Sequence, residues 1–203
     1  MAKTLEFLFD FASPNGYFAY RALPPILART GARLEMTPVL LGGLFKTTGN
    51  QAPMLAFANV QGKLAYDGLE IRRFIAKHGL TKFRMNPHFP VNTLMLMRGF
   101  VAARALGKGD TYLEMGLQGL WEEGLKLDDP EVLARRIEVA GLDGKRILED
   151  AQRADIKQSL VDSTARAADR GAFGVPTFFV GEEMFFGKER LAQIEEELLK
   201  VAA

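Results

Sequence analysis

The architecture of this chain follows from Leu5-Glu6-Phe7-Leu8-Phe9-Asp10-Phe11-Ala12-Ser13-Pro14. The first seven of these residues are short, apolar and rich in aromatic side chains, which is typical of a strand buried on both faces. Ser13 then offers an N-cap hydroxyl, and Pro14 suits the first position of a helix. The segment therefore predicts a buried strand that leads directly into a helix.

The residues that follow complete a strand-helix-strand unit. The helix continues through Tyr17 and Leu27 to a stop at Gly31, and we expect Pro24-Pro25 to bend or break it. Arg33 to Leu41 predicts a second strand. A crossover of this kind is right-handed, so the two strands should be parallel neighbours.

Helical periodicity dominates the middle of the chain. Gly42 to Pro53 has the composition of a loop, and after it apolar residues recur at helical spacing. We predict six helices there: Leu64 to His78, Asn92 to Leu106, Thr111 to Gly124, Pro130 to Ala140, Gly144 to Gln152, and Asp155 to Arg170. This region is therefore expected to be an all-helical insertion.

The last part of the chain returns to strand periodicity. Thr177-Phe178-Phe179-Val180 and Met184-Phe185-Phe186 flank Gly181-Glu182-Glu183, which predicts a β-hairpin. A final helix is expected over Lys188 to Ala202, with Leu191, Ile194, Leu198 and Val201 on one face. The predicted order is βαβ, helical insertion, ββα, an α/β fold.

Composition excludes several classes of function. Lys and Arg number 26 against 25 Asp and Glu, so a net charge of +1 gives no field to attract nucleic acid or an anionic membrane. No apolar run approaches the ~20 residues of a membrane span, and no signal peptide is apparent. We therefore expect a soluble cytoplasmic protein with no nucleic-acid or membrane partner.

The absence of cysteine is the most informative part of the composition. It excludes disulfides, thiolate metal ligands and thiol-disulfide exchange by the chain itself. His78 and His88 are the two histidines, and neither lies in a metal-ligand spacing, so no metal site is expected. Sulfur chemistry at this protein would have to come from a ligand.

Several separated motifs resemble those of the 2-hydroxychromene-2-carboxylate isomerases and the related kappa-class glutathione transferases. They are Phe9-Asp10-Phe11-Ala12-Ser13-Pro14, Thr48-Gly49-Asn50, Lys63 with Tyr66, Phe173-Gly174-Val175-Pro176-Thr177, and Phe186-Gly187-Lys188-Glu189-Arg190-Leu191. The resemblance implies a DsbA-like, thioredoxin-like fold with a large all-helical domain inserted. On this basis residues 1–48 and 168–203 form the thioredoxin-like domain, and residues 49–167 form the inserted helical domain.

The resemblance also implies a site for glutathione. Ser13 is the expected catalytic residue, and the expected glutathione-binding residues are Ser13, Asn50, Lys63, Val175, Glu189 and Arg190. Val175-Pro176 is expected to be a cis peptide that turns the backbone of Val175 toward the ligand. Two positions depart from the family pattern: Glu189 replaces the usual aspartate, and Asn15 replaces the usual aromatic residue.

The chemistry of Ser13 allows two interpretations. An anion beside its hydroxyl would face the N–H groups and the positive end of the helix dipole, and a thiolate is such an anion. A hydroxyl that donates to the charged sulfur would favour ionisation of the thiol. The alternative is that Ser13 is only an N-cap, worth ~1 kcal/mol.

The implied activity is the glutathione-dependent interconversion of 2-hydroxychromene-2-carboxylate and trans-o-hydroxybenzylidenepyruvate, as in aromatic hydrocarbon degradation. The partners would be a small aromatic substrate and glutathione, and relatives of this kind form homodimers. Two alternatives remain open at this stage. One is a kappa-like transferase that conjugates glutathione to electrophiles, and the other is a catalytically silent thioredoxin-like binding module.

Overall fold

The computed structural model describes residues 2–200. Residue 1 and residues 201–203 lie outside the described residues. The predicted end of the last helix at Val201 and Ala202, and the predicted end of the thioredoxin-like domain at residue 203, fall in this part of the chain. Within residues 2–200, four strands form one mixed sheet in the order β2-β1-β3-β4. The strands are β1 Thr4–Phe9, β2 Arg33–Pro38, β3 Thr177–Val180 and β4 Glu183–Phe186.

Strand β1 pairs on both of its edges. It is parallel to β2, with Leu5 opposite Leu34, and antiparallel to β3, with Leu8 opposite Thr177. Strand β4 continues the sheet antiparallel to β3. The predicted parallel βαβ unit and the predicted C-terminal hairpin are both confirmed, although Glu183 belongs to β4 and the turn is confined to Gly181 and Glu182.

Helices account for most of the rest of the described chain. The two proline-led helices are α1 Pro14–Ala22 and α2 Pro24–Thr30, so Pro24-Pro25 breaks the first helix as expected. The remaining helices are α3 Leu41–Thr48, α4 Pro53–Ala56, α5 Lys63–His78, α6 Leu94–Ala105, α7 Gly109–Trp121, α8 Pro130–Val139, α9 Gly144–Asp150, α10 Ala154–Asp169 and α11 Leu191–Leu199. The six helices predicted in the middle of the chain are present within three residues at each end.

Two predictions around residue 41 were wrong. The second strand ends at Pro38 rather than Leu41, and part of the predicted loop forms α3 and α4. Helix α3 forms despite Gly42-Gly43 because Leu44 is fully buried in a small apolar cluster with Leu8 and Val39. Tertiary burial here outweighs the low helix propensity of glycine.

The last helix is also shorter than predicted within the described part of the chain. Lys188–Arg190 forms a 3-10 turn, and α11 begins at Leu191. Leu191, Ile194 and Leu198 are buried on its inner face, which confirms the predicted apolar spacing.

Helix α7 of the helical region contacts the start of the chain. Arg21 on α1 donates to both carboxylate oxygens of Glu114 at 2.9 and 2.8 Å and to Glu122 at 2.8 Å. Phe11, which follows β1, packs directly against α7 at Gly116. These contacts join the two predicted domains closely. The division between residues 48 and 49 and between residues 167 and 168 stays a prediction, with the second boundary falling inside α10.

No helix between residues 2 and 200 combines the length and the apolar character needed to cross a lipid bilayer.

The approach of α7 to Phe11 predicts opposite effects for two glycine-to-alanine substitutions. A Cβ at Gly116 would lie 2.4 Å from the Phe11 ring, so Gly116→Ala should lower the free energy of unfolding by about 1–3 kcal/mol. A Cβ at Gly68 on α5 would have its nearest neighbour, an Arg72 side-chain nitrogen, at 3.6 Å, which is ordinary contact. Gly68→Ala should therefore raise the free energy of unfolding by about 0.5–1 kcal/mol. Urea unfolding of both variants measures the difference, and equal effects would contradict this packing.

Candidate active site

Ser13 lies at the start of α1 and contacts the opposite end of the chain. Its Oγ accepts a hydrogen bond from the Gly16 N–H at 3.2 Å, which makes it the N-cap of the helix. The same hydroxyl donates to the carbonyl oxygen of Val175 at 3.2 Å. Ser13 is only 6% exposed, so both contacts are made out of bulk water.

The Val175-Pro176 peptide is cis, which confirms the expectation for this bond. The segment around it is held by its neighbours in the chain. The Thr177 hydroxyl donates to the Gly174 carbonyl at 2.7 Å, and the Gly187 N–H donates to the Pro176 carbonyl at 2.9 Å. The backbone of Val175 is therefore presented to Ser13 by a segment that is fixed on both sides.

Asn50 reaches the same segment from α3. Its side-chain nitrogen donates to the carbonyl oxygen of Phe173 at 2.8 Å, while the residue itself is exposed. Asn50 follows Gly49, which ends α3 with a φ of 71°, a left-handed conformation that glycine adopts without a Cβ clash. The structure thus brings Ser13, Val175 and Asn50 to one place.

The other three predicted site residues have local partners. Lys63 at the start of α5 pairs with Asp67, and its ammonium lies 5.0 Å from the centre of the Phe57 ring. Glu189 pairs with Lys188, and Arg190 donates to the Gln193 side chain at 3.3 Å. Among the described contacts, none joins Lys63, Glu189 or Arg190 directly to Ser13.

Lys188 is a residue that sequence reasoning missed. It is only 4% exposed, its ammonium lies 5.4 Å from the centre of the Phe74 ring on α5, and its ion-pair partner is Glu189. Gly187 precedes it with a φ of 97°, and a Cβ there would lie 2.8 Å from a carboxylate oxygen of Glu189. The Glu189 side chain itself is 56% exposed, so its carboxylate is accessible to solvent.

Asp10, at the end of β1, is a second buried charged residue that sequence reasoning passed over. Its carboxylate is 1% exposed and accepts hydrogen bonds from the Ala12 N–H, the Leu41 N–H and the Thr93 hydroxyl. Burial raises the pKa of this carboxyl above its ordinary value, while the three donors act in the opposite direction. The signal in the sequence was an aspartate between two phenylalanines, directly after the apolar end of the strand.

The site consists of a serine at a helix N-terminus that contacts the residue before a cis proline, and it lies on a mixed four-stranded sheet. These features define a thioredoxin-like protein with an inserted helical region. The chain belongs to the DsbA-like thioredoxin domain family, whose model matches residues 4–199. The predicted DsbA-like fold is confirmed.

Three similar proteins extend this result. The 2-hydroxychromene-2-carboxylate isomerase of Sphingobium xenophagum is 27% identical over 98% of this chain and 100% of its own length. A solved structure of a 2-hydroxychromene-2-carboxylate isomerase superposes with a TM-score of 0.80 at 25% identity, covering 95% of this chain and 93% of that chain. Glutathione S-transferase kappa 1 of Rattus norvegicus is 23% identical over 93% of this chain and 88% of its length.

Asn15, in the first turn of α1, leads to a prediction about stability. Its side-chain oxygen is buried and lacks a hydrogen-bond partner among the described residues. A buried acceptor of this kind is costly, so Asn15→Leu should raise the free energy of unfolding by about 1 kcal/mol. Urea unfolding is the measurement, and a loss of stability in this variant would contradict the unpaired state of the oxygen.

Proposed function

We propose that this protein is a glutathione-dependent isomerase that interconverts 2-hydroxychromene-2-carboxylate and trans-o-hydroxybenzylidenepyruvate. The observation that carries the proposal is the buried hydrogen bond from the Ser13 hydroxyl to the Val175 carbonyl, because it places a donor that can rotate beside the backbone of Val175 at the N-terminus of α1. The names of the similar isomerases support the reaction. We also propose that the protein is a cytoplasmic homodimer that acts in aromatic hydrocarbon degradation.

The residues present fit glutathione. The Ser13 hydroxyl and the N-terminus of α1 suit a thiolate, since both place positive partial charge toward an anion. The backbone of Val175 suits the cysteinyl part of the tripeptide, in the manner of an added strand. Asn50 supports this backbone by donating to Phe173, two residues before Val175.

The charged side chains predicted for the site would suit the ends of the tripeptide. The Lys63–Asp67 pair is half-exposed on both sides and therefore contributes little to stability, so the Lys63 ammonium is free to exchange Asp67 for a carboxylate of the ligand. Arg190 is exposed and offers a second cation. Glu189, which pairs with Lys188, would be the matching anion for an α-amino group.

Ser13 would hold the reactive sulfur in its charged form. Its present bond to Val175, at 3.2 Å, is long for a hydroxyl donor, and the hydroxyl can rotate to a better acceptor at little cost. A hydrogen bond donated to the ionised form lowers the pKa of a thiol from its ordinary ~8.5. The Gly16 N–H keeps the Ser13 oxygen in place while its proton turns toward the ligand.

When bound, glutathione supplies a nucleophilic thiolate whose reversible addition to the substrate double bond permits rotation about that bond. The chain itself contributes no thiol, because it contains no cysteine. Its residues bind, orient and ionise a borrowed nucleophile. Glutathione is therefore a cofactor in this proposal and is not consumed.

The stoichiometry of glutathione tests the reaction. We expect many turnovers of the chromene carboxylate per glutathione, followed by the change in substrate absorbance at limiting glutathione. Consumption of one glutathione per turnover would instead identify a conjugating transferase, the class of the rat relative. Absence of saturable glutathione binding by calorimetry would overturn the proposal in favour of a silent binding module.

Substitution of Ser13 tests its role separately from stability. Ser13→Ala should reduce turnover about a hundredfold through loss of a donor to the developing anion, and should also cost about 1 kcal/mol as a lost N-cap. Ser163→Ala is the matched control, since Ser163 is equally buried and its hydroxyl donates to the Pro38 carbonyl at 2.6 Å. This control should lose stability and keep its turnover. Equal turnover in both variants would leave Ser13 with no role beyond capping.

A further inference from the structure

Every residue between β1 and α1 is fixed by a specific hydrogen bond. The Phe11 carbonyl accepts from the Trp121 indole N–H at 3.0 Å, the Ala12 N–H donates to Asp10 Oδ1 at 2.9 Å, and the Ser13 N–H donates to the Asp10 carbonyl at 3.3 Å. Asp10 thus holds the short segment before the helix with both its side chain and its backbone.

The Asp10 carboxylate also reaches two further segments. Its Oδ2 accepts from the N–H of Leu41, the first residue of α3, at 2.7 Å. Its Oδ1 accepts from the hydroxyl of Thr93, which directly precedes α6, at 2.6 Å. One buried carboxylate therefore connects the Ser13 segment to the helix that leads to Asn50 and to the helical insertion.

We infer that Asp10 is a positioning residue for Ser13, acting through the Ala12 N–H to hold the segment that carries Ser13 to the starts of α3 and α6. This inference rests on the proposed function for its catalytic meaning, while the constraint on the segment stands on the geometry. Only a carboxylate accepts at both oxygens from three donors. An asparagine would turn an NH₂ group toward one of the donating groups and leave a buried donor unsatisfied.

Two variants and two readouts test the inference. Asp10→Asn removes an acceptor, and Thr93→Val removes one donor while keeping the charge. We expect amide hydrogen exchange at Ala12 and Ser13 to become at least about tenfold faster in Asp10→Asn and to change less in Thr93→Val. In the glutathione complexes of both variants, the pKa of the glutathione thiol, read from thiolate ultraviolet absorbance, should rise by about one pH unit toward that of a free thiol.

The direction of the thiol pKa shift separates positioning from a charge effect. Loss of a nearby negative charge would by itself lower the thiol pKa, whereas loss of the Ser13 hydrogen bond raises it. Thr93→Ser, which keeps the hydroxyl, should restore the wild-type value. A thiol pKa that is unchanged or lower in both Asp10→Asn and Thr93→Val would overturn the inference, whatever their effect on exchange.

Asp150→Asn is the matched control for loss of a largely buried carboxylate. Asp150 has a 12% exposed side chain and pairs with Arg146 and Arg153, and none of its described hydrogen bonds or ion pairs reaches the segment from Asp10 to Ser13. Asp150→Asn should change neither amide exchange at Ala12 and Ser13 nor the pKa of the glutathione thiol. If wild-type protein fails to bind glutathione, the proposed function fails, and unchanged exchange at Ala12 and Ser13 would then overturn the positioning role as well. If Asp10→Asn does not fold, Thr93→Val alone decides.

Discussion

The pairing of β1 on both edges is the constraint on which the rest of the molecule depends. Because β1 runs antiparallel to β3, the residues that leave β1 and the residues that enter β3 meet at the same end of the sheet. Ser13 and Val175 are therefore neighbours although 162 positions separate them. The parallel pairing with β2 brings the start of α3, and with it Asn50, to the same end. The candidate site is thus a product of strand register.

Much of the fold was predictable because its signals are local. Strand β1, the proline-led α1 and the six middle helices follow from periodicity and capping residues that need no knowledge of distant contacts. Helix α3 was missed because Gly42-Gly43 has the local signal of a loop. The helix is stabilised by burial of Leu44 beside Leu8 and Val39, which is a property of the assembled sheet. Local sequence cannot reveal a preference that exists only after folding.

The site was predictable only in part. Ser13 had a local signal in Ser-Pro, and the cis Val175-Pro176 peptide was expected from resemblance to a family alone, but the hydrogen bond between Ser13 and Val175 was not predicted. Asp10 and Lys188 were missed because charged side chains are ordinarily exposed, and their burial depends on donors and rings supplied by other segments. The glutathione contacts of all six predicted residues stay predictions, and Lys63, Glu189 and Arg190 each have a local partner here.

The separation of Ser13 from Val175 has a consequence for the making of the protein. A ribosome adds roughly 5–20 residues per second, so Val175 follows Ser13 out by on the order of ten to thirty seconds. Throughout that interval the β3-facing edge of β1 has no partner, and the aromatic face of Phe7 lacks Phe178, which lies 4.5 Å away between ring centres in the finished fold. A nascent chain of this protein therefore exposes an unpaired strand edge, which can pair with other chains, until the residues of β3 have been synthesised.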